Sequence, residues 1–346
     1  MRRRLKSAIA AAATTLLLAG CFSSGASSGP RSGPPTARVG GGGGSGGPGG
    51  TASQQGLALP PSFFGLSIEW TELPEYERFL PAFERILALW KVTGNGPQVV
   101  RVGGDSADVT YWQPGTIRRP PGAFILTPGY FAQAAELIRQ ADLRLIVDLN
   151  LRNSRPSLEA GLAREAEAML PHDSIIGFQV GNEPDRYHHG YTPSTYSVLL
   201  QTYAAALARV APGVPVLGPA VTNVNSNLGW LRDVARDAGS AVTELDGHRY
   251  MLGGKDSPHS RYYPTIARML APRMTRGLAS SVRPAILLAR SYHKPFRLDE
   301  LGSANSGGRA GVSNAFASAL WAPDALFSLW AVGLQALNMH IRTHRI

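Results

Sequence analysis

From residue 57 onward, short apolar runs alternate with stretches at helical spacing. Residues 63–70 (FFGLSIEW) predict a first strand, and 76–90 follow as a helix. Residues 99–102 predict a second strand that ends in GGDSAD, 130–141 a helix, and 143–149 (LRLIVDL) a third strand. A helix over 157–170, with Ser157 as its cap, leads to a fourth strand over 175–180 (IIGFQV), which ends in GNEPD. Residues 192–210 predict a helix with Thr192 as N-cap and Pro193 at the first helical position, where a missing N–H costs nothing. A fifth strand over 214–217, a helix over 228–238 stopped by Gly239, and a sixth strand over 242–246 leading to GHRY come next. A helix over 282–292, a seventh strand over 296–298 leading to DELGSANSGG, a largely helical 314–334 and an eighth strand over 336–340 complete the pattern.

Strands that are continuous apolar runs belong to parallel sheets covered on both faces. Eight of them, each but the last followed by a helix, predict an α/β protein of the (β/α)8 barrel type. The rival is a doubly wound open sheet, which usually carries a glycine-rich phosphate loop after its first strand. FFGLSIEW is followed by no such loop. In a barrel the chemistry sits at the C-terminal ends of the strands. Glu69, Asp105, the pair Asn182-Glu183, His248 and Glu300 all fall at those expected ends.

The first 56 residues are of a different kind. MRRRLK is a positive start, and residues 8–18 form an apolar stretch of eleven, too short to span a bilayer, which takes about 20 residues. Leu18-Ala19-Gly20-Cys21 resembles the cleavage box of bacterial lipoproteins. That resemblance implies a signal over 1–20, lipidation of Cys21, and an exported protein anchored to the membrane, at the cell surface or facing the periplasm. The alternative is an ordinary secretory signal with a chance cysteine. Residues 21–56 are rich in Ser, Gly and Pro, bury too little to repay ordering, and read as a flexible linker to a catalytic domain over 57–346.

Composition narrows the function. The 346 residues are 44% hydrophobic and carry a net charge of +10, four of whose positive charges lie in the first six residues. The remaining arginines are scattered and not interleaved with aromatics, so nothing points to nucleic acid. Cys21 is the single cysteine, which excludes intrachain disulfides and cysteine-rich zinc sites. His188, His189, His248 and His259 show no metal-ligand spacing, and no phosphate or dinucleotide loop appears, so no metal and no cofactor is implied.

Glu183 and Glu300 follow the fourth and seventh expected strands, which lie across the mouth of a closed barrel from each other. Two carboxylates facing one substrate are the equipment for glycoside hydrolysis: one protonated to donate to the leaving oxygen, one ionised to attack the anomeric carbon. The bland reading of each is a surface ion pair or a helix-terminal acid.

The set resembles the large retaining (β/α)8 glycosidase clan and, within it, glycoside hydrolase family 79, the heparanase-like β-glucuronidases. The stretches that carry the resemblance are VGGDS at 102–106, GNEPD at 181–185, HRY at 248–250 and ELGSANSGG at 300–308, with SNAFASALWAPDAL beyond. The resemblance implies Glu183 as acid/base and Glu300 as nucleophile on a glucuronate-bearing glycan or glycoconjugate. It implies Asn182 on the sugar 2-hydroxyl, Tyr250 donating to Glu300, and His248 supporting the same site. The backbone amides of Gly307 and Gly308 would receive the sugar carboxylate, and Glu69 and Asp105 would line the pocket. Asp299 is expected to point away from the site by strand alternation.

The family continues into an eighth helix and a C-terminal β-sandwich, so the barrel is expected to be incomplete at its eighth unit and its activity impaired. Two other readings stay open: a glycosidase of the same clan for a neutral sugar, and a catalytically impaired glycan-binding surface lipoprotein.

Overall fold

The computed structural model describes residues 59–78, 81, 85, 96–112, 120–188 and 190–342. The signal, Cys21 and the whole linker lie outside the described residues, as does most of the helix expected over 76–90. Among the described residues no helix is long and apolar enough to cross a membrane.

Eight parallel strands close into a barrel. They are β1 (Phe64–Glu69), β2 (Gln98–Gly103), β5 (Leu143–Leu149), β6 (Ile175–Val180), β7 (Val216–Val221), β8 (Glu244–Leu252), β9 (Phe296–Ala304) and β10 (Ala336–His340), with β10 returning to pair β1. The eight-strand (β/α)8 expectation therefore holds. Two further short strands, β3 (Thr110–Trp112) and β4 (Phe124–Leu126), pair in parallel outside the barrel and were not expected. Each is only three residues long, too short for a periodic signal.

Alternation divides each barrel strand between two environments. In β2, Val100 and Val102 join the large apolar layer between strands and helices, whereas Val99 joins Ile146 and Leu217 in a small separate cluster. The same alternation places Leu145 and Val147 outside and Ile146 inside along β5. The inward positions nearer the C-terminal ends are polar and fully buried: Arg101, Asp148, Gln179, Asp246 and Asp299. The barrel thus has a small apolar plug with a polar layer above it, and the candidate site rests on that layer.

Two local expectations need correction. Ser157 does not cap its helix: the helix runs Pro156–Met169, Pro156 takes the first position and Arg155 the cap position. A proline supplies the helical φ without needing its N–H satisfied, so it starts the helix one residue earlier. The sixth and seventh strands also run well past their apolar cores, to Leu252 and Ala304, because β8 and β9 keep pairing up to Leu252 and Ala304 at the rim. His248, Tyr250 and Glu300 therefore sit inside strands rather than after them. By contrast, Thr192 caps the helix Pro193–Leu207 by accepting from the Thr195 amide, as its sequence predicts.

Candidate active site

Glu300 is 6% exposed and gripped at both oxygens. Arg101 Nη1 donates to its Oε1 at 2.6 Å, and the Tyr250 hydroxyl donates to its Oε2 at 2.6 Å. Gly302 makes the second contact possible, since a Cβ there would come within 2.6 Å of the Tyr250 ring. Burial opposes ionisation of Glu300, but the positive side chains around it, His248 foremost, and the Tyr250 hydrogen bond outweigh burial and hold it well below the usual carboxylate range.

Glu183 follows β6 in a left-handed conformation (φ 47°, ψ 50°), uncommon for a residue with a side chain. That geometry turns the carboxylate to the mouth. Its Oε1 lies 3.0 Å from His248 Nδ1, and its Oε2 accepts from Arg186 Nη1 at 2.8 Å. Burial raises its pKa, yet the contacts with His248 and Arg186 bring it below the ordinary glutamate value. His248 is fully buried; burial works against its charge, and Glu300 and Asp299 overcome it, raising its pKa well above the usual range.

The two carboxylates share this imidazole. His248 Nδ1 is also 3.6 Å from Glu300 Oε2. The nearest oxygens of Glu183 and Glu300 are consequently no more than about 6.6 Å apart, the total of the two distances to one nitrogen.

The other expected residues gather around them. Asn182 accepts from Arg101 Nη2 at 2.9 Å, and its amide nitrogen faces Asp105 at 3.4 Å. Glu69 accepts from the Ser106 amide at 2.7 Å and from Arg342. Gly104 (φ +67°) lets the loop close over Glu69, because a Cβ would sit 2.9 Å from its carboxyl group. Asp105 lies at the rim, its side chain 74% exposed and 3.3 Å from Arg342 Nη2.

Gly307 and Gly308 lie in the loop after β9, both at positive φ, but the Gly308 amide donates to the Asn305 carbonyl at 3.0 Å. The loop closes on itself as a turn, so the Gly308 amide of the expected anion-binding pair is already engaged.

Asp299 is the clearest correction. It is fully buried and faces inward: its Oδ2 is 3.3 Å from His248 Nε2 and 3.7 Å from Arg101 Nη2. Gly247 pairs with Leu298 and His248 with Glu300, so Asp299 is the extra residue of a β-bulge. A bulge suspends the alternation on which the outward expectation rested.

Sequence reasoning also passed over Arg101, Asp148, Gln179, Asp246, Arg186, His340 and Arg342. The first three carry a readable signal: each is a lone polar residue inside or at the edge of an apolar strand run, as in VVRVG, LIVDL and IGFQV. His340 Nδ1 is 3.1 Å from Ser67 Oγ and 3.7 Å from Glu300 Oε1. Among the described residues no cluster of three or more His, Cys, Asp or Glu is disposed to hold a metal.

No model of a known protein family matches the chain, and no curated protein does. Solved structures do. A 4-O-α-L-rhamnosyl-β-D-glucuronidase from Fusarium oxysporum 12S aligns with a TM-score of 0.65 at 18% identity, covering 82% of this chain and 64% of that one. A monomeric β-xylosidase from Caulobacter crescentus CB15 aligns with a TM-score of 0.55 at 17% identity, covering 82% and 61%. A bacterial orthologue of human α-L-iduronidase aligns with a TM-score of 0.54 at 13% identity, covering 82% and 49%. At these identities the likeness establishes the fold: the chain has the (β/α)8 barrel found in these glycosidases. It spans less than two thirds of the length of these solved chains.

Proposed function

We propose that the chain is a retaining glycoside hydrolase acting on β-glucuronides, with Glu300 as nucleophile and Glu183 as acid/base. The observation that carries this is the shared imidazole, which caps the gap between the two carboxylates at about 6.6 Å. A retaining pair is about 5–5.5 Å apart and an inverting pair about 6.5–9.5 Å; the upper bound admits the retaining separation and excludes all but the near edge of the inverting range. Glu300, held ionised by Arg101 and Tyr250, attacks C1. Glu183 donates a proton to the departing oxygen and then takes one from the water that releases the sugar. Asn182, fixed by Arg101, presents its amide nitrogen for the 2-hydroxyl.

The glucuronate preference draws support from the sequence resemblance to family 79 and from the rhamnosyl-glucuronidase among the structural neighbours. A neutral sugar is the second reading. It is favoured by the engaged Gly308 amide and by Glu69 and Asp105 at the mouth, acceptors suited to sugar hydroxyls. Export and anchoring through Cys21 complete the proposal, on the strength of the N-terminal sequence.

A glucuronate-configured epoxide inhibitor tests the chemistry and the sugar together. A single adduct on the peptide that contains Glu300, lost in Glu300→Gln, is the expected result. An adduct on another residue, or labelling only by a glucose- or xylose-configured reagent, overturns the nucleophile or the sugar respectively. Aryl glucuronide, glucoside, galactoside and xyloside compared on the same chain rank the sugars directly.

A further inference from the structure

Asp299 is a buried carboxylate that the chemistry above does not use. It stands behind His248: Asp299 Oδ2 lies 3.3 Å from His248 Nε2, an ion-pair distance, and Glu183 Oε1 lies 3.0 Å from Nδ1. All three side chains belong to separate strands or strand ends, and His248 and Asp299 are both fully buried. The charged groups facing His248 are Glu183 from the turn after β6 and Asp299 and Glu300 from β9. Those facing Asp299 are His248 from β8 and Arg101 from β2; Gln179 from β6 donates to it and to Asp246, and the Asp148 carboxylate on β5 lies across Arg101. An imidazole between carboxylates on both ring nitrogens keeps an N–H toward each, since a bare nitrogen would face a carboxylate lone pair.

We propose that Asp299 is a positioning residue that holds His248 with a proton on both ring nitrogens, so that the proton Glu183 must deliver is stored on the Glu183–His248 pair. This rests on the reading of Glu183 as acid/base. The proton passes from Nδ1 to the Glu183 carboxylate, leaving neutral His248 with its remaining proton on Nε2, 3.3 Å from Asp299 Oδ2. Glu183 gives that proton to the leaving oxygen as the C1–O bond breaks and Glu300 bonds to C1. When water attacks C1 and the bond to Glu300 breaks, Glu183 takes the water's proton and Nδ1 recovers it. Proton count and charge balance over the cycle.

The test joins nitrogen NMR of the histidine-labelled full chain with pH profiles of Asp299→Asn. In the wild type, both His248 nitrogens are expected to carry protons at pH 7; a bare Nε2 there overturns the proposal without any variant. In Asp299→Asn, the ring is expected to lose its proton at a pH lower by about one unit or more. The alkaline limb of kcat/KM should move down with it. The loss at neutral pH should be about tenfold or greater for methylumbelliferyl glucuronide and slight for the 2,4-dinitrophenyl glucuronide, whose departure needs no acid. An unmoved or upward-moving limb, or an equal loss on both substrates, refutes the storage role. His248→Gln should lower the same limb, and adding Asp299→Asn to it should do nothing more; additive effects count against the proposal. If the wild type cleaves no glycoside, the acid/base reading fails by itself, and the nitrogen spectra still decide the contact between His248 and Asp299.

Discussion

Arg101 reaches from β2 to Glu300 on β9, a strand that is not adjacent to β2 in the barrel, and its Nη1 ends 2.6 Å from the carboxylate. The same guanidinium donates to Asp148, Gln179 and Asn182, so one fully buried cation ties β5, β6 and β9 to the site. Its Nη1 also lies 3.3 Å from Ser67 Oγ on β1. Removing it strands buried carboxylates without a counter-charge. Arg101→Ala is expected to cost about 3–5 kcal/mol in stability. Urea unfolding of the variant measures this, and a loss under 1 kcal/mol would contradict the network's role.

Tyr250 helps keep Glu300 ionised through its hydroxyl. In Tyr250→Phe that hydrogen bond is gone, and the Glu300 pKa rises. The ionised nucleophile is then lost at a higher pH as acid is added, so the acidic limb of kcat/KM moves upward while the alkaline limb stays. A pH series on an activated aryl glycoside checks the direction.

Arg186 acts in the same sense on Glu183, but from a side chain that is 66% exposed. Solvent and salt screen such a pair, and its contribution to stability is below about 1 kcal/mol. Arg186→Gln should leave the melting temperature nearly unchanged and move the alkaline limb of kcat/KM up by a fraction of a pH unit. A large stability loss would show that the side chain does something beyond pairing with Glu183.

Glu159 lies away from the site, fully buried, accepting from the Asn150 amide at 3.1 Å and from Asn153 Nδ2 at 2.7 Å. Burial without a cation pushes its pKa up to about 8. The folded chain therefore binds a proton here that the unfolded chain gives up near the ordinary glutamate value. Its contribution is fully present below about pH 4.5 and is lost as pH rises to about 8, on the order of a few kcal/mol over that window. Glu159→Gln should flatten the fall in stability between pH 5 and 8, as read by urea unfolding at each pH.

The line of hydrophobic runs was enough to count the eight strands and to order them, because a buried parallel strand must be apolar on both faces over most of its length. It was enough as well to single out Glu183, Glu300 and His248, polar residues set where strands approach the barrel mouth, whereas Tyr250 entered only through the family resemblance. What no reading along the chain could supply was the inside of the ring. Arg101 looks like any arginine until closure brings β2 within reach of β9. Asp299 looks outward by alternation until a bulge between β8 and β9 turns it in. Gly308 looks like an open amide until its loop folds back on Asn305. Each of these depends on which distant strand stands opposite and in what register, and register is decided by the packing of the whole barrel rather than by any local run of residues.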